Sequence, residues 1–244
     1  MKKKYVVGLL AVAAGVLLAL LGLFFLKKQY DEKNQSGILL SFDDYDTTSW
    51  ESMFDLFDEY DVKVTFFVNA FGPSDFCEKA RERGHDIGFH TIGHMDLTTL
   101  SEEAIREQAI DPIEEFRSQG YDFLAFSYPF GKYSEETNQL LLQHYDVLRG
   151  AYYHELRDRD AVKGTFIESK SIDNTNYEDD AHFKNEIMAV LLEAYENPGT
   201  VVSLYSHSIN DWAQWAVPVE RLEFIFETAQ NLGLKFYTYS DLVK

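Results

Sequence analysis

Residues 37–44 read GILLSFDD. Ile38, Leu39, Leu40 and Phe42 are apolar at both odd and even positions, the mark of a strand buried on both faces. The strand ends on two adjacent carboxylates, Asp43 and Asp44. Downstream the theme repeats. Residues 49–60 place Trp50, Met53, Phe54, Leu56 and Phe57 on helical spacing, and VKVTFFVN (62–69) and HDIGFH (85–90) read as short strands. The stretch 101–120 reads as one helix, opened by Ser101 and closed by Gly120. FLAFSYP (123–129), DVLRGAY (146–152), FIESKSID (166–173), TVVSLYSH (200–207) and KFYTYS (235–240) supply further strands, with helices at 134–145, 182–196 and 218–233. Such β–α alternation in one α/β domain implies a parallel sheet. An open doubly wound sheet and a compact, distorted (β/α) barrel both accommodate it. No G-x-G-x-x-G turn follows the first strand and no Walker loop is present, which counts against nucleotide-binding versions.

The N-terminus has a different character. After MKKK, residues 5–26 carry no charge, enough for a helix to span a bilayer core of about 20 apolar residues. A cleaved signal peptide ends on small residues, whereas this run ends on Phe24, Phe25 and Leu26. The expectation is a cytoplasmic stub (1–4), an uncleaved transmembrane signal anchor (5–26), a polar linker (27–36) and a folded domain (37–244). Lys2, Lys3, Lys4 and the amino terminus outweigh Lys27 and Lys28, so the positive-inside rule keeps the N-terminus in the cytoplasm. The chain is then single-pass in the plasma membrane with its domain extracytoplasmic. Beyond Lys28 there are 17 basic and 41 acidic residues, a net charge of −24. That argues against nucleic acid, which is bound through basic patches. The single cysteine, Cys77, allows no intrachain disulfide and reads as a packing residue.

In barrels and open α/β sheets, reactive groups gather at the carboxyl ends of strands. Here those ends carry Asp43 and Asp44, His90 and His94 in GFHTIGHMDL (88–97), Tyr128-Pro129-Phe130, Asp173, and His207. Two imidazoles and a carboxylate suit zinc or another divalent first-row ion, because a catalytic zinc has three protein ligands and one open position. Where the first strand passes into its loop, Asp43 and Asp44 can both face the site. The same donors bind iron(II) in oxygenases, but the carboxylate-first order and the additional acid–base groups speak against that. His85, His144, His154 and His182 lack partners at ligand spacing and read as ordinary. Trp212 and Trp215 follow His207 in a loop and suit either sugar stacking or anchoring in the core.

Taken together, SFDD (41–44), HTIGH with MDL (90–97), FSYPFG (126–131) and LYSH (204–207) resemble the polysaccharide deacetylases, the NodB-homology family (carbohydrate esterase family four). Order and spacing fit along residues 37–244. The resemblance implies a distorted (β/α) barrel of about seven strands, here preceded by one N-terminal transmembrane helix. It implies metal-assisted removal of acetyl groups from a glycan containing N-acetylglucosamine, and location beside the wall favours peptidoglycan or a related polymer. It further implies Asp43 as general base, and Asp44, His90 and His94 as ligands of one divalent ion, Zn2+ foremost, with Co2+, Mn2+ or Ni2+ as substitutes. His207 would be the general acid. Tyr128, Pro129 and Phe130 would line the acyl pocket, with the Phe130 N–H facing the oxyanion.

Departures from the family pattern matter. Ser41 and Tyr45 flank the acidic pair where Thr and Gly are common. The arginine that usually pairs with the base aligns with Ser127. Arg149, on the next strand, either reaches inward instead or is structural. The motif that usually supplies an aspartate and a tryptophan is poorly formed, so Asp173 either orients His207 or is a turn residue. The same residues also serve an O-acetyl esterase acting on xylan, and Ser127 motivates a carbohydrate-binding pseudoenzyme. The implied partners are an acetylated glycan and the membrane, with no nucleic acid and no protein partner implied.

Overall fold

The computed structural model describes residues 20–69 and 75–244. Two compact units separate at Gln35 and Ser36. In the first, residues 20–33 form a helix, α1. Among the described residues no helix is long and apolar enough to cross a membrane. Residues 5–19 of the expected membrane segment lie outside the described residues.

The second unit, Ser36–Lys244, is built around β1 (Gly37–Asp44), which lies parallel to β2 (Thr65–Val68). Parallel pairing continues through β3 (Asp86–Phe89), β4 (Ala125–Ser127) and β5 (Val147–Arg149). Next come β6 (Leu156–Asp158), β7 (Thr165–Ile167), β8 (Lys170–Ser171) and β9 (Thr200–Ser206). β7 pairs with β5, β8 pairs with β9, and β9 pairs with β1, so the segment 165–171 nearly closes the sheet into a barrel. β10 (Ser208–Ile209) and β11 (Ala216–Val217) form a separate small ribbon, and β12 (Lys235–Tyr237) lies beside the start of β1. Three short strands went unread from sequence: β6, which runs antiparallel to β9, and the β10–β11 pair.

Strand alternation sorts β1 into two functions. Ile38, Leu40 and Phe42 join the apolar layer beneath the helices, whereas Leu39 belongs to the barrel-interior cluster with Phe67, Ala125, Val147, Ile167 and Val201. The inward positions nearer the carboxyl ends are polar and buried: Ser41, Asp43, Ser127 and Arg149. The interior is thus apolar below and ionic on top.

The helices are α2 (Thr47–Glu51), α3 (Phe54–Glu59), α4 (Asp75–Glu82), α5 (Glu102–Ala109), α6 (Asp111–Ser118), α7 (Glu135–Leu141), α8 (Asp180–Glu196), α9 (Val219–Leu232) and α10 (Tyr239–Val243). Cys77 is buried on α4. Three sequence expectations need correction. Residues 49–60 are two helices, because the Ser52 hydroxyl donates to the Ser49 carbonyl (2.7 Å) where the first one ends. Residues 101–120 are also two: Pro112 has no N–H to give the Gln108 carbonyl. That carbonyl accepts from Ile92 N–H instead (3.0 Å), and the Tyr145 hydroxyl donates to the Ala109 carbonyl. The last strand stops at Tyr237, since Thr238 and Asp241 form a reciprocal capping box that starts α10.

Packing beneath the site is tight at Gly88, where an added Cβ would lie 2.4 Å from the ring of buried Phe67. Gly88→Ala is expected to destabilise the domain by about 1–3 kcal/mol through overpacking. Urea unfolding checks this, and a variant as stable as the parent contradicts it.

Candidate active site

Neighbouring residues on a strand point to opposite faces, so Asp43 and Asp44 should diverge. Asp43 follows the alternation and points into the barrel, 3% exposed. Asp44 sits at φ 80°, in the left-handed region that aspartate tolerates better than most residues, and its carboxylate swings to the barrel mouth. Its Oδ1 lies 3.4 Å from His94 Nε2 and 3.7 Å from His90 Nε2.

His90 follows β3 and is buried. Its Nδ1 lies 2.8 Å from the Ser127 carbonyl. A carbonyl only accepts, so Nδ1 carries the proton and the Nε2 lone pair faces Asp44 and His94. Burial pushes the imidazole below its ordinary range, against Asp43 and Asp44, which keeps it neutral. His94 caps the loop at φ 48°, its ring 5.0 Å from that of His90. Two ligands about 2.0 Å from a tetrahedral zinc sit roughly 3.3 Å apart. The donor atoms of Asp44, His90 and His94 all lie within 4.8 Å of one another, so spacing and donor chemistry both fit a divalent ion.

Asp43 stands behind this triad. The Arg149 guanidinium donates to its Oδ1, and the Ser127 hydroxyl donates to its Oδ2 (3.2 Å). Ser127 and Arg149 are register partners on β4 and β5, so the guanidinium that Ser127 lacks comes from one strand over. Arg149 is fully buried and lies over the Tyr205 ring, 4.4 Å from its centroid, and the Phe67 ring at 5.3 Å. Burial would raise the Asp43 carboxyl, but the Arg149 charge, with His90 and His207, outweighs it and holds the group below its ordinary value.

His207 follows β9 across the mouth. Its Nδ1 lies 2.9 Å from Asp173 Oδ2. Asp173 is itself fully buried and accepts from the Ser171 hydroxyl (2.9 Å), the Ser206 hydroxyl (2.5 Å) and the His207 N–H (3.3 Å). Its place in the chain is a loop, but its side chain is not a turn side chain. Burial would lower the His207 pKa, yet the hydrogen bond and charge of Asp173, backed by Asp43 and Asp44, raise it above 6.5.

These groups open into one cleft of about 440 Å³, lined also by Tyr128, Phe130, Gly131, Ala151, Tyr205 and Trp215. Pro129 is buried behind its wall. Phe130 is at φ 58° with its side chain 57% exposed, and its N–H makes no hydrogen bond among the described residues. Trp215 lies edge-on to His207, ring centroids 5.7 Å apart, while Trp212 is 82% exposed. The other four histidines do not line the cleft: His85 lies among Phe54, Phe57 and Phe66, His154 and His182 face Glu193 and Glu186, and His144 follows α7. Sequence reasoning missed Trp50 as a site residue. It reads as a core tryptophan, and it is buried, but its Nε1–H donates to the His207 carbonyl (2.6 Å). The Ser49 hydroxyl beside it accepts from Ile209 N–H (3.1 Å).

Residues 30–145 match the family model for polysaccharide deacetylase. Over that stretch, somewhat under half of its length, the chain is similar to the polysaccharide deacetylases. The matched stretch contains Asp43, Asp44, His90, His94 and Tyr128–Phe130. It stops short of Arg149, Asp173 and His207, whose placement rests on the geometry above. A bifunctional xylanase/deacetylase of Pseudobutyrivibrio xylanivorans is 23% identical over 216 residues, 86% of this chain and 31% of that protein. A peptidoglycan-N-acetylglucosamine deacetylase of Bacillus cereus is 30% identical over 122 residues, 45% of this chain and 44% of that protein. The matches therefore span less than half the length of these relatives. The solved structure of the chitin deacetylase from Colletotrichum lindemuthianum shares the fold, with TM-score 0.62 at 18% identity, covering 86% of this chain and 88% of that one.

The Asp173–His207 contact makes a direct prediction. In metal-free protein the His207 imidazole should titrate above 6.5, and Asp173→Asn should move the midpoint down by removing the charge that favours the imidazolium. Nitrogen-detected NMR titration of the ring reads this. An unmoved midpoint contradicts the assignment.

Proposed function

We propose that this protein is a polysaccharide deacetylase, a metal-dependent hydrolase that removes acetyl groups from the nitrogen of N-acetylglucosamine units in a glycan. The observation that carries this is the convergence on one cleft of three elements: the Asp44–His90–His94 donor set, the Asp43–Arg149 pair and the His207–Asp173 pair. Asp44, His90 and His94 would hold a divalent ion, zinc foremost, and it would supply Lewis acidity toward the water and the acetyl carbonyl.

The chain's own residues do the rest. Asp43, kept ionised by Arg149, accepts the proton of the attacking water. The Phe130 N–H is available to the oxygen that becomes negative as the carbonyl is attacked. His207, charged because Asp173 favours its imidazolium, donates a proton to the departing nitrogen, which otherwise leaves poorly. Phe130, Trp215 and Tyr205 exclude water around the acetyl group. The gap at Ser127, which suggests a non-catalytic protein when the sequence is read alone, is filled by Arg149.

The uncharged run 5–26, with Lys2, Lys3, Lys4 and the amino terminus outweighing Lys27 and Lys28, supports an anchored, extracytoplasmic enzyme with the N-terminus in the cytoplasm. In that location a wall polymer such as peptidoglycan is the substrate within reach. The likeness to a xylanase/deacetylase over 86% of the chain keeps acetylated xylan as the second substrate to assay.

The purified full chain, loaded with zinc, should release acetate from N-acetylglucosamine oligomers, and chelation should abolish it. Asp43→Asn should lower kcat by about 10²–10⁴, the scale of losing a general base. Acetate release from O-acetylated xylan with none from N-acetyl substrates would overturn the amide assignment. Arg149→Ala should cut the rate by about 10–1,000. Because removing the guanidinium raises the Asp43 pKa, the low-pH limb of kcat/KM should move to higher pH. An unshifted limb would mean that Arg149 does not support the base.

A further inference from the structure

The loop that carries His94 is held by a residue that belongs to none of the motifs in the sequence. Thr91 and His94 both lie in the left-handed region, at φ 66° and 48°. Between them Ile92 and Gly93 are exposed, so burial does not fix the backbone there. Two hydrogen bonds do. Ile92 N–H donates to the Gln108 carbonyl (3.0 Å), and Gly93 N–H donates to Gln108 Oε1 (2.8 Å). Gln108 thus grips consecutive amides with its main chain and its side chain.

The grip depends on two other residues. Its carbonyl is open only because Pro112, four positions on, has no N–H to close the helical turn. A Cβ at position 93 would lie 2.9 Å from Gln108 Oε1, so glycine is what permits the approach.

We infer that Gln108 is a positioning residue for the metal ligands: by clamping Ile92 and Gly93 it fixes the His90–His94 spacing before an ion arrives. The inference rests on the metal reading proposed above. His90 has its own anchor at the Ser127 carbonyl, whereas no hydrogen bond to the His94 ring exists among the described residues. His94 is aimed by its backbone, by the neighbouring Phe130 ring at 4.5 Å, and by the Asp44 carboxylate it would share with the ion. Without the Gln108 side-chain bond, binding has to order the loop as well as fill the site, and affinity falls by the cost of that ordering.

The test is zinc affinity of the full chain in detergent, measured by competition with a chelating dye, for the parent, Gln108→Met and Gln108→Glu. Methionine keeps length and apolar bulk but has no oxygen, whereas glutamate keeps an acceptor for Gly93 N–H. Amide exchange at Gly93 is followed in the zinc-free proteins. Q108M should bind zinc about 10-fold more weakly, the lower end of what supporting partners of metal ligands contribute. Its Gly93 amide should exchange faster, and Q108E should retain the parent's affinity and protection. Parent-like affinity in Q108M overturns the inference and leaves the metal reading standing. So does equal weakening in both variants with Gly93 exchange unchanged, since that is general destabilisation. A parent protein that binds no zinc removes the metal reading and this inference with it.

Discussion

An arginine and an aspartate meet at the floor of the cleft, largely shielded from bulk water, and the rest of the site is arranged around that contact. Arg149 and Asp43 are both buried. Stripping two charges of water costs several kcal/mol each, and only a close partner with further hydrogen bonds offsets it. The structure supplies these: Ser127 donates to the free carboxylate oxygen, and the Tyr205 and Phe67 rings stack under the guanidinium. Both charges sit on strands, at the inward positions of β1 and β5, so the sheet fixes their approach. The ionic layer lies directly above the apolar barrel interior. Loss of either charge strands the other in that environment, which makes the pair a poor choice for stability alone and a fitting one for a base that must stay ionised.

Around this rigid centre the remaining groups stand on loops, and the backbone shows what placing them costs. Among the described residues five non-glycine residues have positive φ, and four of them, Asp44, Thr91, His94 and Phe130, belong to the cleft loops. Asp44, His94 and Phe130 line the cleft, and Thr91 is buried in the loop between the two histidines. Unfavourable conformations of this kind persist where surrounding bonds over-determine them. The bonds are visible: His90 to Ser127, Ile92 and Gly93 to Gln108, and the Lys132–Asp96 ion pair (2.7 Å), which joins the Phe130 turn to the histidine loop. Ser127 serves both halves, since its hydroxyl holds Asp43 and its carbonyl orients His90.

The sequence made the strand ends legible because residue type there is informative. An apolar run that stops at Asp-Asp or at His leaves few places for those side chains except the barrel mouth. The barrel's closure was less legible, because β7 and β8 pair with different neighbours and read as one strand. Whether Arg149 faced inward could not be read from DVLRGAY, since it depends on the β4–β5 register that sets it beside Ser127. Asp173 looked equally like a turn residue because its partners, Ser171, Ser206 and His207, gather only when β8 docks on β9. Trp50 and Gln108 were invisible as site residues for a common reason. Each acts through a backbone group of another segment, and such bonds leave no pattern of spacing. The helix breaks at Ser52 and Pro112 were signalled by residue type, yet the apolar periodicity running through them carried more weight.

A buried aspartate is held ionised by a guanidinium delivered from the neighbouring strand. The direct measurement is a carbon-13 NMR titration of the Asp43 carboxyl in zinc-free protein, with Asp43→Asn to assign the signal. The midpoint should lie below the ordinary aspartate value of 3.8, with the carboxyl ionised throughout the neutral range. A midpoint above 3.8, as burial alone would give, would contradict it and leave Arg149 without the role assigned to it.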